Sequence, residues 1–152
     1  MRLALYQPEI PQNTGTMIRT AACMGLPVDI IEPCGFPFSV KALRRAGMDY
    51  LDKTDIKRHL SWDAFNQWRL DEGYNLVLLT TKASHPYYER QFQDNDIIMM
   101  GRESSGVEDY IHAAVDDRLT IPMPGGLRSL NVAVSAGMVI GEAVRQSIHF
   151  SK

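Results

Sequence analysis

Cysteine is nearly absent from this 152-residue chain. Cys23 and Cys34 are the whole complement, with ten residues between them and no histidine at ligand spacing. That excludes a disulfide framework, argues against a metal site and suits a reducing cytoplasm. Long apolar runs are also missing. The longest, Leu130 to Ile140, is broken by Asn131 and Ser135 and falls short of a membrane span. The apolar start, Met1 to Tyr6, is too short for a signal peptide and runs straight into Gln7-Pro8-Glu9. A soluble, cytoplasmic protein is expected. Neither charge dominates, since 16 basic residues face 18 acidic ones. A nucleic-acid role therefore needs a local basic patch. The common phosphate fingerprints are missing too. No G-x-G-x-x-G follows the first strand, Val107 stands where a Walker loop needs lysine, and no serine sits in a G-x-S-x-G elbow. His59, His85, His112 and His149 are scattered and read as surface or packing residues.

What is present fits one domain over residues 1–152, with 45% hydrophobic and 22% charged residues. Strand-like and helix-like patterns alternate. Leu3 to Tyr6 reads as a strand, and Met17, Ile18, Ala21 and Ala22 recur at helical spacing before a Gly25 stop. Val28 to Ile31 is a second strand. Ser39 and Ser61 are placed to cap helices, the first closed by Gly47. Ile56 sits in a short strand. Leu76–Leu79 and Ile97–Met100 are unbroken apolar runs, as in strands covered on both faces. A helix over 109–115, a strand over 119–121 and a long helix from Ser129 to Ser147 complete the order. Repeated βα units predict an α/β fold, a mostly parallel sheet with helices on both faces.

Ligands of such sheets bind beyond the carboxyl ends of strands. Three loop segments stand there. In Pro11 to Thr20, Asn13 or Thr14 caps a helix and Arg19 is either solvated or aimed at an anion. In Met100 to Gly106, two glycines permit close backbone approach, and Glu103 either accepts hydrogen bonds from a loop or holds a polar ligand. In Ile121 to Asn131, a strand end, a Pro/Gly loop and a polar helix start are compressed together. The helix that follows is apolar nearly all round, so it is either a central core helix or a dimer interface helix.

The N-x-G-x-x-x-R of the first segment, the G-x-E-x-x-G of the second and the I-P-M…R-S-x-N of the third resemble the three motifs of the SPOUT superfamily of RNA methyltransferases. The likeness runs through almost the whole chain, including Ile31-Glu32-Pro33, Leu43 to Tyr50 and Thr80-Thr81-Lys82. With no extra N-terminal RNA-binding domain, the chain looks like the smallest members, which act on the wobble ribose of tRNA. The resemblance implies a deep C-terminal trefoil knot, a homodimer, S-adenosylmethionine as methyl donor and no metal. It places the cofactor at Leu79, Gly101, Ile121 and Ser129. It makes Arg19 catalytic, with Asn13, Glu103, Ser129 and Asn131 as further motif residues. Two positions depart from the family pattern: Met100 replaces a usual Phe, and Gly141 a usual Tyr.

Between Lys41 and Arg58, six basic residues (Lys41, Arg44, Arg45, Lys53, Lys57, Arg58) face three acidic ones. Alone this is an ordinary solvated surface. Beside the resemblance, Lys41, Arg44, Arg45, Lys57 and Arg58, with Arg128, are candidates for tRNA phosphate contact. Two other functions stay open at this point: methylation of ribosomal RNA, and a non-catalytic RNA-binding module of the same fold.

Overall fold

Continuous apolar runs need cover on both faces, and the fold supplies it. The structure, a computed structural model, describes residues 1–45 and 49–150. Its strands are β1 (Arg2–Tyr6), β2 (Val28–Ile31), β3 (Ile56–His59), β4 (Asn75–Leu79), β5 (His85–Pro86), β6 (Asp96–Met100) and β7 (Asp117–Thr120). All pairings are parallel, in the order β3-β2-β1-β6-β4-β7-β5. The helices are α1 (Pro11–Cys23), α2 (Val40–Arg45), α3 (Trp62–Asp71), α4 (Asp109–Ala114) and α5 (Val132–Phe150). The expected alternation and parallel sheet are both present. The two-residue β5 and the short turns 49–53 and 87–89 were not expected.

Side chains alternate across the pleat and make two cores. On one face Leu3, Leu5, Val28, Ile30, Val77 and Ile98 pack with Met17 and Ile18 of α1 and with Ala136, Val139 and Ile140 of α5. On the other, Ala4, Tyr6, Leu76, Leu78, Ile97 and Met99 pack with Trp62 and Phe65 of α3 and Ile111 of α4. Phe65 is wholly buried, and truncating such a side chain to alanine costs about 3–5 kcal/mol. Charged residues are also buried, but paired. Asp29 lies under the α3 face, bonded to Arg2 at 2.7 Å and His59 at 2.8 Å. Breaking such a pair leaves an uncompensated charge.

Helix ends follow the sequence in part. Gly25 (φ +70°) closes α1, with Leu26 N–H donating to Ala21 and Gly25 N–H to Ala22, as a left-handed C-cap requires. Ser39 accepts from Ala42 N–H, and Ser61 from Ala64 N–H. Gly47 and the side chains of Arg44 and Arg45 lie outside the described residues. Asn13 and Thr14 do not cap α1. That helix starts at Pro11, and Thr14 donates back to Ile10 O at 3.2 Å. Nor does α5 start at Ser129. Asn131 Oδ1 accepts from Ala133 N–H at 2.8 Å and Val134 N–H at 3.3 Å, and the helix begins at Val132. Ala133, Ala136, Val139, Ile140 and Ala143 of α5 face the core, while Val134, Met138 and Gly141 make an exposed stripe.

Candidate active site

Adjacent parallel strands release their chains at the same edge, so the loops after them must meet there. The loops after β4, β6 and β7 enclose a cleft of about 690 Å³, closed on one side by the start of α1. Leu79, Gly101, Glu103, Ile121, Arg128, Ser129, Asn131 and Asn13 all line it. All four expected cofactor residues and four of the five expected catalytic ones therefore share one cavity. Its size is ordinary for a small-molecule site.

The loop after β6 is held from several sides. Arg102 and Gly106 exchange backbone hydrogen bonds at 3.0 Å each way. A Cβ on Gly101 would stand 2.9 Å from Gly106 Cα, so glycine here serves the loop's own closure and not only approach to a ligand. Gly106 sits at φ +64°, a region that favours glycine. Glu103 accepts from Glu9 N–H at 2.9 Å and Ile10 N–H at 3.2 Å, just before α1. Of the two expectations for Glu103, the structure shows the bonds to a loop. Glu9 in turn accepts from Ser104 N–H and Oγ at 2.9 and 2.7 Å, and these bonds hold its carboxyl below the usual value. Arg102 Nη1 donates to Gln7 Oε1 at 3.0 Å, and Nη2 to Glu108 Oε1 at 2.9 Å. Tyr6 Oη donates to the other Glu108 oxygen at 2.5 Å. Burial and this carboxylate raise the Tyr6 pKa. Burial opposes ionisation of Glu108, but bonds from Tyr6 and Arg102 outweigh it and keep the carboxyl low.

The third segment joins the first through Asn131 Nδ2, which donates to Asn13 Oδ1 at 3.0 Å. One asparagine thus caps α5 and ties it to α1. Ser129 and Arg128 are exposed on the cleft wall. Two further wall residues, Lys82 and His112, escaped sequence reasoning. The triplet Thr80-Thr81-Lys82 was a signal for the first, but nothing in the sequence places His112 against it. Burial, then the neighbouring Lys82 and Arg118, lower the His112 pKa.

Arg19 is not part of this cavity. It is exposed on α1, its guanidinium 4.7 Å over the Tyr50 ring and bonded to Tyr50 Oη at 3.2 Å. The basic stretch is also less free than its composition suggests. Arg58 is paired with Glu32 and lies over Phe38, and Lys57 lies 4.5 Å over the Trp68 ring. Lys41 is exposed. Among the described residues, no group of three or more His, Cys, Asp or Glu is arranged to hold a metal, and no helix is long and apolar enough to cross a membrane.

Residues 1–141 match the model of the SpoU rRNA methylase family. The chain is 57% identical over 144 residues to a tRNA (cytidine(34)-2'-O)-methyltransferase of Beijerinckia indica subsp. indica, covering 95% of this chain and 90% of that one. It is 38% identical to the protein of the same name in Escherichia coli K12, covering 96% and 93%. Its fold superposes with a TM-score of 0.90 at 41% identity, over 97% and 96% of the two chains, on a structure described as giving insight into 2-OH methylation of C/U34 on tRNA. It also superposes, with a TM-score of 0.84 at 27% identity, on an AdoMet-bound rRNA methyltransferase of Sinorhizobium meliloti, covering 95% of this chain and 55% of that one. With residues of all three motifs gathered at one cleft and its sequence matched nearly end to end, the chain belongs to the SpoU methylase family.

Proposed function

We propose that this protein methylates the ribose 2'-oxygen of the wobble nucleotide of tRNA in the cytoplasm, as a single-domain, knotted homodimer. The observation that carries this reading is the convergence of two motif loops and the start of α1 on one cleft of cofactor size. The names of the relatives support the choice of tRNA over ribosomal RNA. The knot finds support in the order of strands: β7 lies outside β4, yet the chain after it returns to pack α5 against α1 and β6.

The cleft suits S-adenosylmethionine. Apolar walls at Leu79, Ile121 and Met123 fit an adenosine, and the glycine-bounded loop offers main-chain groups. Leu79, Gly101, Ile121 and Ser129 would hold it. Bound there, S-adenosylmethionine supplies an electrophilic methyl group. The chain's own residues orient the RNA. Asn131 and Glu103 set the start of α5 and of α1, so their work is positional. A guanidinium stays protonated, so Arg19 is a poor base. It would hold the phosphate beside the target ribose and stabilise charge on the 2'-oxygen as its proton leaves. Because Arg19 lies off the cleft of its own chain, a homodimer would present it to the cleft of the second copy. Lys41, Arg44, Arg45 and Arg128 would contact phosphates. Lys57 and Arg58 drop to a secondary place, being engaged within the fold.

Incubation with methyl-labelled S-adenosylmethionine and bulk tRNA, then mapping of the nucleotide, tests this. Label at the wobble ribose is expected. Label on ribosomal RNA instead, or none on either RNA, overturns it.

A further inference from the structure

Arg102 occupies the first variable position of the G-x-E-x-x-G loop, and each of its three nitrogens is already engaged inside the protein. Nε bonds Gly106 O at 3.3 Å, Nη1 bonds Gln7 Oε1 at 3.0 Å and Nη2 bonds Glu108 Oε1 at 2.9 Å. Its Cζ lies over the ring of Tyr6, 5.3 Å from the ring centre, and the Tyr6 hydroxyl holds the other Glu108 oxygen. Three of its five N–H groups are thus spent on neighbours inside the protein, so this residue of the cleft wall is set to hold those neighbours in place. One of those neighbours is under strain. Gln7 has φ +43°, a conformation that side-chain-bearing residues rarely keep unless their surroundings hold them there. Gln7 is also where the chain turns from β1 toward α1, and its N–H is fixed to Ile31 O at 2.9 Å. Leu5 of β1 pairs with Met100 of β6, so the Gln7 turn and the Arg102 loop leave neighbouring strand ends.

We propose that Arg102 is a positioning residue for methyl transfer: through Gln7 it fastens the β1–α1 turn to the cleft loop, so that the loop facing the donor and the helix facing the RNA keep one relative placement. This rests on the function proposed above. The tether acts beside the Glu9–Glu103 bonds and fixes the direction in which α1 leaves the sheet. A displacement of about 1 Å in such an arrangement is enough to lower turnover on the order of 10²-fold.

Gln7→Gly separates this role from simple stability. It deletes the tether, keeps the Arg102–Glu108 pair and relieves the positive φ. Arg102→Lys keeps a charge for Glu108 but loses the planar fork. In both variants, the amides of Glu9, Ile10 and Ser104 should exchange hydrogen faster, by about tenfold or more, while core strands stay protected. Thermal unfolding of Gln7→Gly should stay close to wild type. Turnover on tRNA should fall tenfold or more, with a much smaller change in the dissociation constant for S-adenosylmethionine. Arg102→Gln with Glu108→Gln should restore stability lost in Arg102→Gln alone, but not turnover. Unchanged amide protection in both Gln7→Gly and Arg102→Lys overturns the tether, whether or not the wild type methylates tRNA. Altered protection with unchanged kcat in an active enzyme overturns its role in the reaction. A wild type that transfers no methyl to tRNA, with the protection pattern as expected, refutes the functional reading and leaves the tether standing.

Discussion

Glu9 and Glu103 are crossed: each carboxylate accepts hydrogen bonds from the segment that carries the other. Two like charges sit together because Glu103 accepts two N–H groups and Glu9 one N–H and one hydroxyl, and Glu103 also stands at the positive end of α1. Glu103→Ala should therefore lower stability by about 1 kcal/mol, as for loss of a helix cap, and weaken cofactor binding. Thermal unfolding and calorimetry read the two effects. Full retention of both would leave Glu103 without this role.

The same clasp has a pH signature. The Glu9 carboxyl is held below its ordinary value of 4.5 by Ser104. A depressed carboxylate stabilises the fold above its unfolded pKa, and that contribution is lost as pH falls through the folded one. Stability of the wild type should thus decline below about pH 4.5 more steeply than that of Glu9→Gln. Parallel curves for the two proteins would contradict the assignment.

Arg19→Ala and Arg19→Lys should each lose methyl transfer on the order of 10²-fold, because the planar fork matters as well as the charge. Affinity for S-adenosylmethionine should not change, since Arg19 lies outside the cleft. Mixed dimers of Arg19→Ala with a cleft-blocked Gly101→Val should regain part of the activity. Gly101→Val itself should bind cofactor poorly because its side chain collides with Gly106. Failure of every mixture to exceed the separate variants would contradict service of Arg19 to the cleft of a second copy.

Self-association should respond to the exposed stripe of α5. Val134 is 52% and Met138 37% exposed. Val134→Glu with Met138→Arg should give a folded monomer by sedimentation. Ala136→Arg, by contrast, should unfold the chain, because Ala136 is wholly buried against its own sheet and an unpaired buried charge costs several kcal/mol. A double variant that still sediments as a dimer would move the interface elsewhere.

RNA binding should divide the basic stretch. Lys41→Ala should flatten the log–log salt dependence by about one unit for a lost phosphate contact. Arg58→Ala should change it little, because Glu32 already neutralises Arg58. Slopes unchanged from wild type in both variants would return the whole stretch to an ordinary surface.

Local signals in the sequence carried over where the partner is also local. Gly25 closes α1 and Ser39 and Ser61 cap helices as their spacing foretold, because those bonds span only a few residues. The apolar runs Leu76–Leu79 and Ile97–Met100 were legible as central strands although their pairing partners are distant, because burial on both faces is written in the run itself. What stayed hidden depends on distant partners. Glu32 meets Arg58, and Asn131 meets Asn13, only once the sheet has formed. The start of α5 was misplaced because Ser129 and Asn131 are both good caps in sequence, and only the fold selects Asn131. The cleft residues were legible through motif resemblance. That Arg19 stands apart from them was not, since α1 carries it to another face.

The placement of β6 between β1 and β4 bears on how the protein is made. Once out of the ribosome, β1 cannot acquire its inner neighbour until Asp96–Met100 has been synthesised. Through that interval Leu3 and Leu5 have β2 beside them but no strand on the other flank. A sheet whose middle is closed by such remote pairings folds late and slowly. Nascent chains ending before β6 therefore expose strand edges that a chaperone, or another nascent chain, would find.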